Sequence, residues 1–208
     1  MASGKKDISR LKHFATKRVM MEVEPPSLAN LKNLTSKGSY VLILELPKKS
    51  FITVGKLGIF MFLPGFYGYV GSAQGGLYRR LKRYLSSKRK KRWHIDYLLE
   101  EAYLKAIAIC EVPDLPACAR PPLASRPSKP GTGGQTVQAN AWRASQWQAG
   151  RIECSVATKL HQTLSPIPGF GISDCLCSSH LYYHPIEQFL KTEVLQAFMP
   201  YTCSIIEI

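Results

Sequence analysis

The sequence predicts an α/β (α+β) domain: a small, mainly antiparallel sheet with an added hairpin, flanked by helices. Three observations carry that expectation. Strand-like apolar runs crowd into residues 40–71 with short turns between them that read as hairpins. A helix with one leucine stripe and a basic remainder follows at 77–86. A second set of helical and strand patterns returns beyond residue 150, after a segment with neither.

Residues 1–37 read as a basic N-terminal extension, in which Ile8, Leu11 and Phe14 suit a short amphipathic helix that Pro25-Pro26 would end. The core begins at Gly38. Tyr40-Val41-Leu42-Ile43-Leu44-Glu45-Leu46 has the aliphatic and β-branched composition of a mostly buried strand. Phe51-Ile52-Thr53-Val54 and Ile59-Phe60-Met61-Phe62, joined by Gly55-Lys56-Leu57-Gly58, form the added hairpin. Pro64-Gly65 turns the chain into a strand at 66–71, and Gly75-Gly76 breaks it before the basic helix. There Leu77, Leu81 and Leu85 share one stripe, with Arg79, Arg80, Lys82 and Arg83 around the rest. Lys88-Arg89-Lys90-Lys91-Arg92 is an uninterrupted basic run, followed by a helix at 93–101 and a strand at 104–110.

Residues 113–149 are rich in proline and glycine and lack periodic apolar positions, which predicts a disordered insertion. A helix at 152–160 keeps Ile152, Val156 and Leu160 in register, and a last core strand is expected after Ser179-His180. The domain is therefore bounded at 38–184, interrupted by the insertion, with 185–208 as a C-terminal tail.

Charge narrows the partners. The chain carries 28 Lys+Arg against 14 Asp+Glu, a formal +14, and the excess is clustered rather than scattered. Such a surface favours polyanions, nucleic acid first. No run of about 18 apolar residues occurs, so no membrane span is expected. Nucleic acid rather than membrane is the partner assigned, with a ribosome- or membrane-associated basic protein as a third reading of the charge. The N-terminus lacks the apolar core of a secretory signal. Six irregularly spaced cysteines then read as reduced thiols, and an intracellular location, cytoplasmic or nuclear, follows.

Gly38-Ser39-Tyr40 and Tyr69-Val70-Gly71, followed by Arg80-Leu81-Lys82-Arg83-Tyr84-Leu85, resemble the paired strands and arginine helix of the GIY-YIG nuclease superfamily. Trp93-His94-Ile95-Asp96-Tyr97 and Ser173-Asp174-Cys175-Leu176-Cys177-Ser178-Ser179-His180 resemble signatures of one mostly prokaryotic subfamily, some of whose members are fused to a DNA-repair glycosylase. The resemblance covers 38–112 and 151–184. It implies a metal-dependent endonuclease acting on DNA rather than RNA, with a DNA-repair protein as a further partner.

Phosphodiester hydrolysis needs a fixed cation at the phosphorus oxygens, a divalent ion for the leaving group, and a group that activates or positions water. The resemblance assigns the cation to Arg80, whose guanidinium grips two phosphate oxygens at once. It assigns the Mg²⁺ (or Mn²⁺) ligand to Glu153, since one carboxylate plus waters suits that ion. Tyr40 and Tyr69 would line the cleft, one of them positioning water, although an ordinary phenol is a poor base near neutrality. Gly71 matters for its missing side chain, which admits a close neighbour.

His94 is read either as a proton-shuttling group beside Arg80 or as a core histidine bonded to a neighbouring strand. Arg79, Lys82, Arg83, Lys88, Arg89, Lys90, Lys91 and Arg92 are the candidate nucleic-acid contacts. The superfamily's late asparagine has no counterpart after Asn140, where Ser179 or His180 would have to substitute. Asp174, Cys175, Cys177 and His180 invite a zinc reading. Four donors within seven residues would strain a tetrahedral site, although Cys110 or Cys154 could contribute, and polar packing of a short loop near the cleft is the favoured reading. The alternative function is a non-catalytic nucleic-acid-binding module with the same fold.

Overall fold

Strand β1 (Lys37–Leu46) is buried along nearly its whole length, and its alternating side chains serve two separate cores. The computed structural model describes residues 31, 34, 36–86, 90–112, 152–173, 175–199 and 201–208. The expected N-terminal helix, the insertion at 113–149, and Lys88 and Arg89 lie outside the described residues.

After β1 come the hairpin strands β2 (Ser50–Thr53) and β3 (Ile59–Phe62), then β4 (Gly65–Ala73) and helix α1 (Leu77–Leu85). A short helix α2 (His94–Leu98) and strand β5 (Tyr103–Val112) follow. Beyond the undescribed stretch lie helix α3 (152–160), β6 (Ser165–Pro166), β7 (Leu181–His184), helix α4 (Glu187–Phe198) and β8 (Cys203–Glu207). Six strands form one sheet in the order β6-β7-β4-β1-β5-β8, with every neighbouring pair antiparallel. β2 and β3 pair with each other as a separate two-stranded ribbon. The mixed, mainly antiparallel fold with an added hairpin is as expected.

Period-two alternation divides β1 between the two faces. Tyr40, Leu42, Leu44 and Leu46 pack with Leu77 and Leu81 of α1, Ile95 and Leu98 of α2, and Ile52 and Phe62 of the hairpin. Val41 and Ile43 instead meet Ile152, Val156 and Leu160 of α3 and Leu190, Val194 and Phe198 of α4. Burying each such aliphatic side chain contributes roughly 1.5–3 kcal/mol, which makes β1 the anchor of both layers. Among the described residues no helix is long and apolar enough to cross a membrane.

Two boundaries differ from expectation. Leu31 is fully buried in the first core, so the folded unit starts before Gly38. Residues 185–208 are no tail: α4 covers the second face and β8 completes the sheet beside β5. The stripe of α4 is blurred in sequence because Phe189 and Leu195 remain exposed beside the buried Leu190, Val194 and Ala197.

Candidate active site

Tyr40 and Gly71 are register partners across β1 and β4. A Cβ on Gly71 would come within 2.5 Å of the Tyr40 hydroxyl and 2.6 Å of its ring carbon, so the close neighbour this glycine admits is the Tyr40 phenol. The phenol runs on to Tyr84, the two hydroxyls 2.8 Å apart and buried. Tyr84 is one helical turn beyond Arg80, which puts both on one side of α1. Arg80, on the same side, is close enough to the Tyr84 phenol for the two to interact electrostatically.

α1 begins where Gly76 adopts φ 101°, a conformation that favours glycine. Its first N–H groups are satisfied by the chain entering β1: Leu77 donates to the Ser36 carbonyl at 2.9 Å and Tyr78 to the Leu34 carbonyl at 3.0 Å. Leu77, Leu81 and Tyr84 face inward, and Arg80 is half-buried beside them.

The Arg80 guanidinium stacks on Trp93, 4.9 Å from the ring centroid. Trp93 is held by Asp96, whose buried carboxylate accepts from the backbone N–H groups of Trp93 at 2.7 Å and Arg92 at 2.8 Å. Asp96 stands three residues past the helix cap, the position from which a side chain satisfies the start of a helix. It also pairs with Arg83. Trp93 therefore reaches Arg80, while its neighbour His94 packs edge-on against Phe170 with centroids 5.9 Å apart. Tyr69 approaches the same Phe170 ring at 6.2 Å.

Burial comes first among the forces on Arg80 and works against its charge. The phenols of Tyr40, Tyr84 and Tyr69 outweigh it, and the group's pKa stands above its ordinary value. Among the described residues no carboxylate forms an ion pair with it. Tyr40 and Tyr69 are pushed well above the ordinary phenol range, by burial first and then by the nearby Tyr84; Arg80 pulls the other way and is outweighed. Both phenols are thus neutral groups near neutral pH, not tyrosinate bases.

Glu153 arrives from the opposite layer. α3 packs its apolar stripe on the second face, but Glu153 is in its first turn, and Tyr69 feels both this carboxylate and Arg80. Glu153 is largely shielded, with Oε1 3.1 Å from His180 Nδ1. The His180 backbone is built into the sheet end, accepting from Val70 N–H at 2.9 Å and donating to the Phe170 carbonyl at 2.8 Å. The Ser179 hydroxyl is absorbed locally, donating to the Ile167 carbonyl at 2.6 Å. Tyr40 and Tyr69 share the first core's face with the helix that carries Arg80, whereas Glu153 sits on a helix of the second face and reaches the sheet end through His180.

The candidate nucleic-acid contacts divide. Arg79, Lys82, Lys90 and Arg92 are exposed. Arg83 is bound to Asp96, and Lys91 bridges to Glu100 at 2.8 Å while lying over Tyr97. Tyr84, Trp93, Asp96 and Phe170 were not singled out for the site by sequence reasoning. The spacing of Tyr84 from Arg80 and of Asp96 from Trp93 are the two signals that point to them.

Two donor sets of different chemistry adjoin here. Glu153 turns one oxygen to His180 and has a second to offer, which fits a hard, water-rich ion such as Mg²⁺. Beside it Cys154, Cys175, Cys177 and His180 converge. Cys110 is elsewhere, opposite Cys203 in the β5–β8 ladder, and Asp174 lies outside the described residues.

No curated protein and no solved structure matches the chain. A family model described as "Domain of unknown function DUF123" matches residues 39–118 and 135–202, taking in β1 through β5 and, beyond the undescribed stretch, α3 through α4. By that match over most of its length, the chain belongs to the DUF123 family.

Proposed function

We propose that this chain is a metal-dependent nuclease hydrolysing phosphodiester bonds in DNA, with the chemistry of the GIY-YIG superfamily that its tyrosine strands resemble. One observation carries the reading. The Arg80 guanidinium is half-buried among the phenols of Tyr40, Tyr69 and Tyr84 and the Trp93 indole, with no carboxylate paired to it among the described residues. A desolvated cation without a counter-charge attracts an anion, and its planar fork matches two phosphate oxygens.

In this reading Arg80 holds the scissile phosphate and stabilises the charge that grows on its oxygens in the transition state. Tyr69, in the field of both Arg80 and Glu153, orients the attacking water as a neutral hydrogen-bonding group. Tyr40 and Tyr84, hydrogen-bonded to each other, tie β1 to the helix that carries Arg80, and Trp93 stacks on its guanidinium. Glu153 would hold a magnesium or manganese ion, which when bound supplies charge neutralisation at the leaving oxygen. Arg79, Lys82, Lys90 and Arg92 track the backbone on either side. A DNA-repair partner belongs to the same reading.

A binding module without cleavage is the second reading, favoured by the engagement of Glu153 with His180. A cleavage assay with Mg²⁺ or Mn²⁺ on supercoiled, single-stranded and branched DNA and on RNA separates the two. The nuclease reading expects DNA cutting by the wild type and a loss of about 10²-fold or more in both Arg80→Ala and Glu153→Ala. Binding without cutting supports the module. Equal cutting by all three proteins defeats the assignment.

A further inference from the structure

We propose that Cys154, Cys175, Cys177 and His180 bind one zinc ion in a closed, structural site. Their ligand atoms all lie within 4.8 Å of one another, and Cys175 Sγ is 3.4 Å from His180 Nε2. A tetrahedral zinc with Zn–S near 2.3 Å and Zn–N near 2.0 Å separates its ligands by about 3.5–3.8 Å, so modest closure brings the four donors onto the ion. Three thiolates and an imidazole are a soft set that selects zinc over magnesium, manganese or calcium.

The surrounding chain is arranged around these donors. One ligand comes from the first turn of α3 and three from the loop before β7, so the ion would tie together elements that no strand pairing joins. Leu176 is fully exposed, while the flanking Cys175 and Cys177 are partly buried and bring their sulfurs to Cys154 and His180. The His180 side chain is almost wholly buried, and its Nδ1 has no aligned hydrogen-bond partner although Glu153 Oε1 is 3.1 Å away. With Nε2 on the metal, Nδ1 carries the proton and donates to Glu153. This carboxylate–histidine–zinc arrangement fixes the ring and raises its basicity as a ligand. The same contact orients Glu153, so the zinc site positions the carboxylate without touching substrate. The assignment stands whether or not the chain cuts DNA.

The test is metal content of the full chain, expressed with zinc supplied and purified without chelator. Wild type is expected to hold about one zinc per chain, and Cys203→Ser the same. The Cys175→Ser/Cys177→Ser variant should fall to about a tenth of that or less. Because that variant can fail to fold, a mercurial titration of the wild type is run beside it: zinc should be released in step with thiol modification. Cobalt(II) substitution should add visible bands of tetrahedral thiolate ligation. Glu153→Gln should keep its zinc, which separates this proposal from loss of cleavage. A wild type without zinc, with iron in its place, or with a disulfide among the three cysteines would overturn it.

Discussion

The hydroxyls of Tyr40 and Tyr84 meet at 2.8 Å inside the core, joining β1 to α1 one helical turn beyond Arg80. Removing one hydroxyl leaves its partner buried, at a cost of about 1–3 kcal/mol, whereas removing both leaves an apolar contact. Tyr40→Phe and Tyr84→Phe should each lower unfolding stability, and the double variant should lose less than the sum. Urea denaturation of the four proteins measures this; strictly additive losses would mean the bond contributes nothing.

Gly71→Ala makes the same point sterically. The added methyl would fall within 2.5 Å of the Tyr40 hydroxyl, and that ring is enclosed, so it must rotate away from Tyr84. Overpacking of this kind costs about 1–3 kcal/mol. A folded variant whose cleavage drops at least as far as that of Tyr40→Phe is expected. Unchanged stability and activity would show that the ring has room to spare.

Lys82 and Arg83 are neighbours with different work. Lys82 is exposed, and Lys82→Ala should reduce the slope of log affinity against log salt by about 0.9, the signature of one lost phosphate contact. Arg83 instead serves Asp96, which keeps two backbone N–H bonds if the arginine goes. Arg83→Ala should leave the slope nearly unchanged and cost about 2–3 kcal/mol of stability, below the full cost of orphaning a buried charge. Salt-dependent DNA binding and urea unfolding of both variants check the division.

Alkaline pH should expose the buried phenols. Tyr40, Tyr67, Tyr69, Tyr84 and Tyr182 are all raised above 10.0, burial leading in each case. A raised folded-state value gives stability that is complete below the unfolded pKa and is lost as pH climbs beyond it. The urea midpoint should therefore hold up to about pH 10 and fall above it, less steeply in Tyr40→Phe. Tyrosinate absorbance should show part of the chain's tyrosines ionising only as the fold opens. Full titration of every phenol while the protein stays folded would contradict this.

Much of the scaffold was legible in the sequence because it rests on local pattern. β1 is a continuous aliphatic and β-branched run and α1 carries a leucine stripe, so both could be placed from neighbouring residues alone. The site was less legible because its contacts depend on register. Tyr40 reaches Tyr84 only because it faces Gly71 across the ladder, and Cys154 meets Cys175 only because α3 begins beside the loop before β7. Trp93 was quoted as part of a signature, yet its stacking on Arg80 depends on how α2 docks against α1. His94, the residue with the more familiar chemistry, turned instead to Phe170.

The stacking of Arg80 on Trp93 bears on how an anion would be received. A long cationic side chain loses about 2 kcal/mol of rotamer freedom when it is pinned. Here the indole already restricts it within the fold, so that loss belongs to folding and need not recur at each encounter. Trp93→Ala would leave the charge in place and the arm loose, and the expected penalty is weaker capture of phosphate by an unaltered guanidinium.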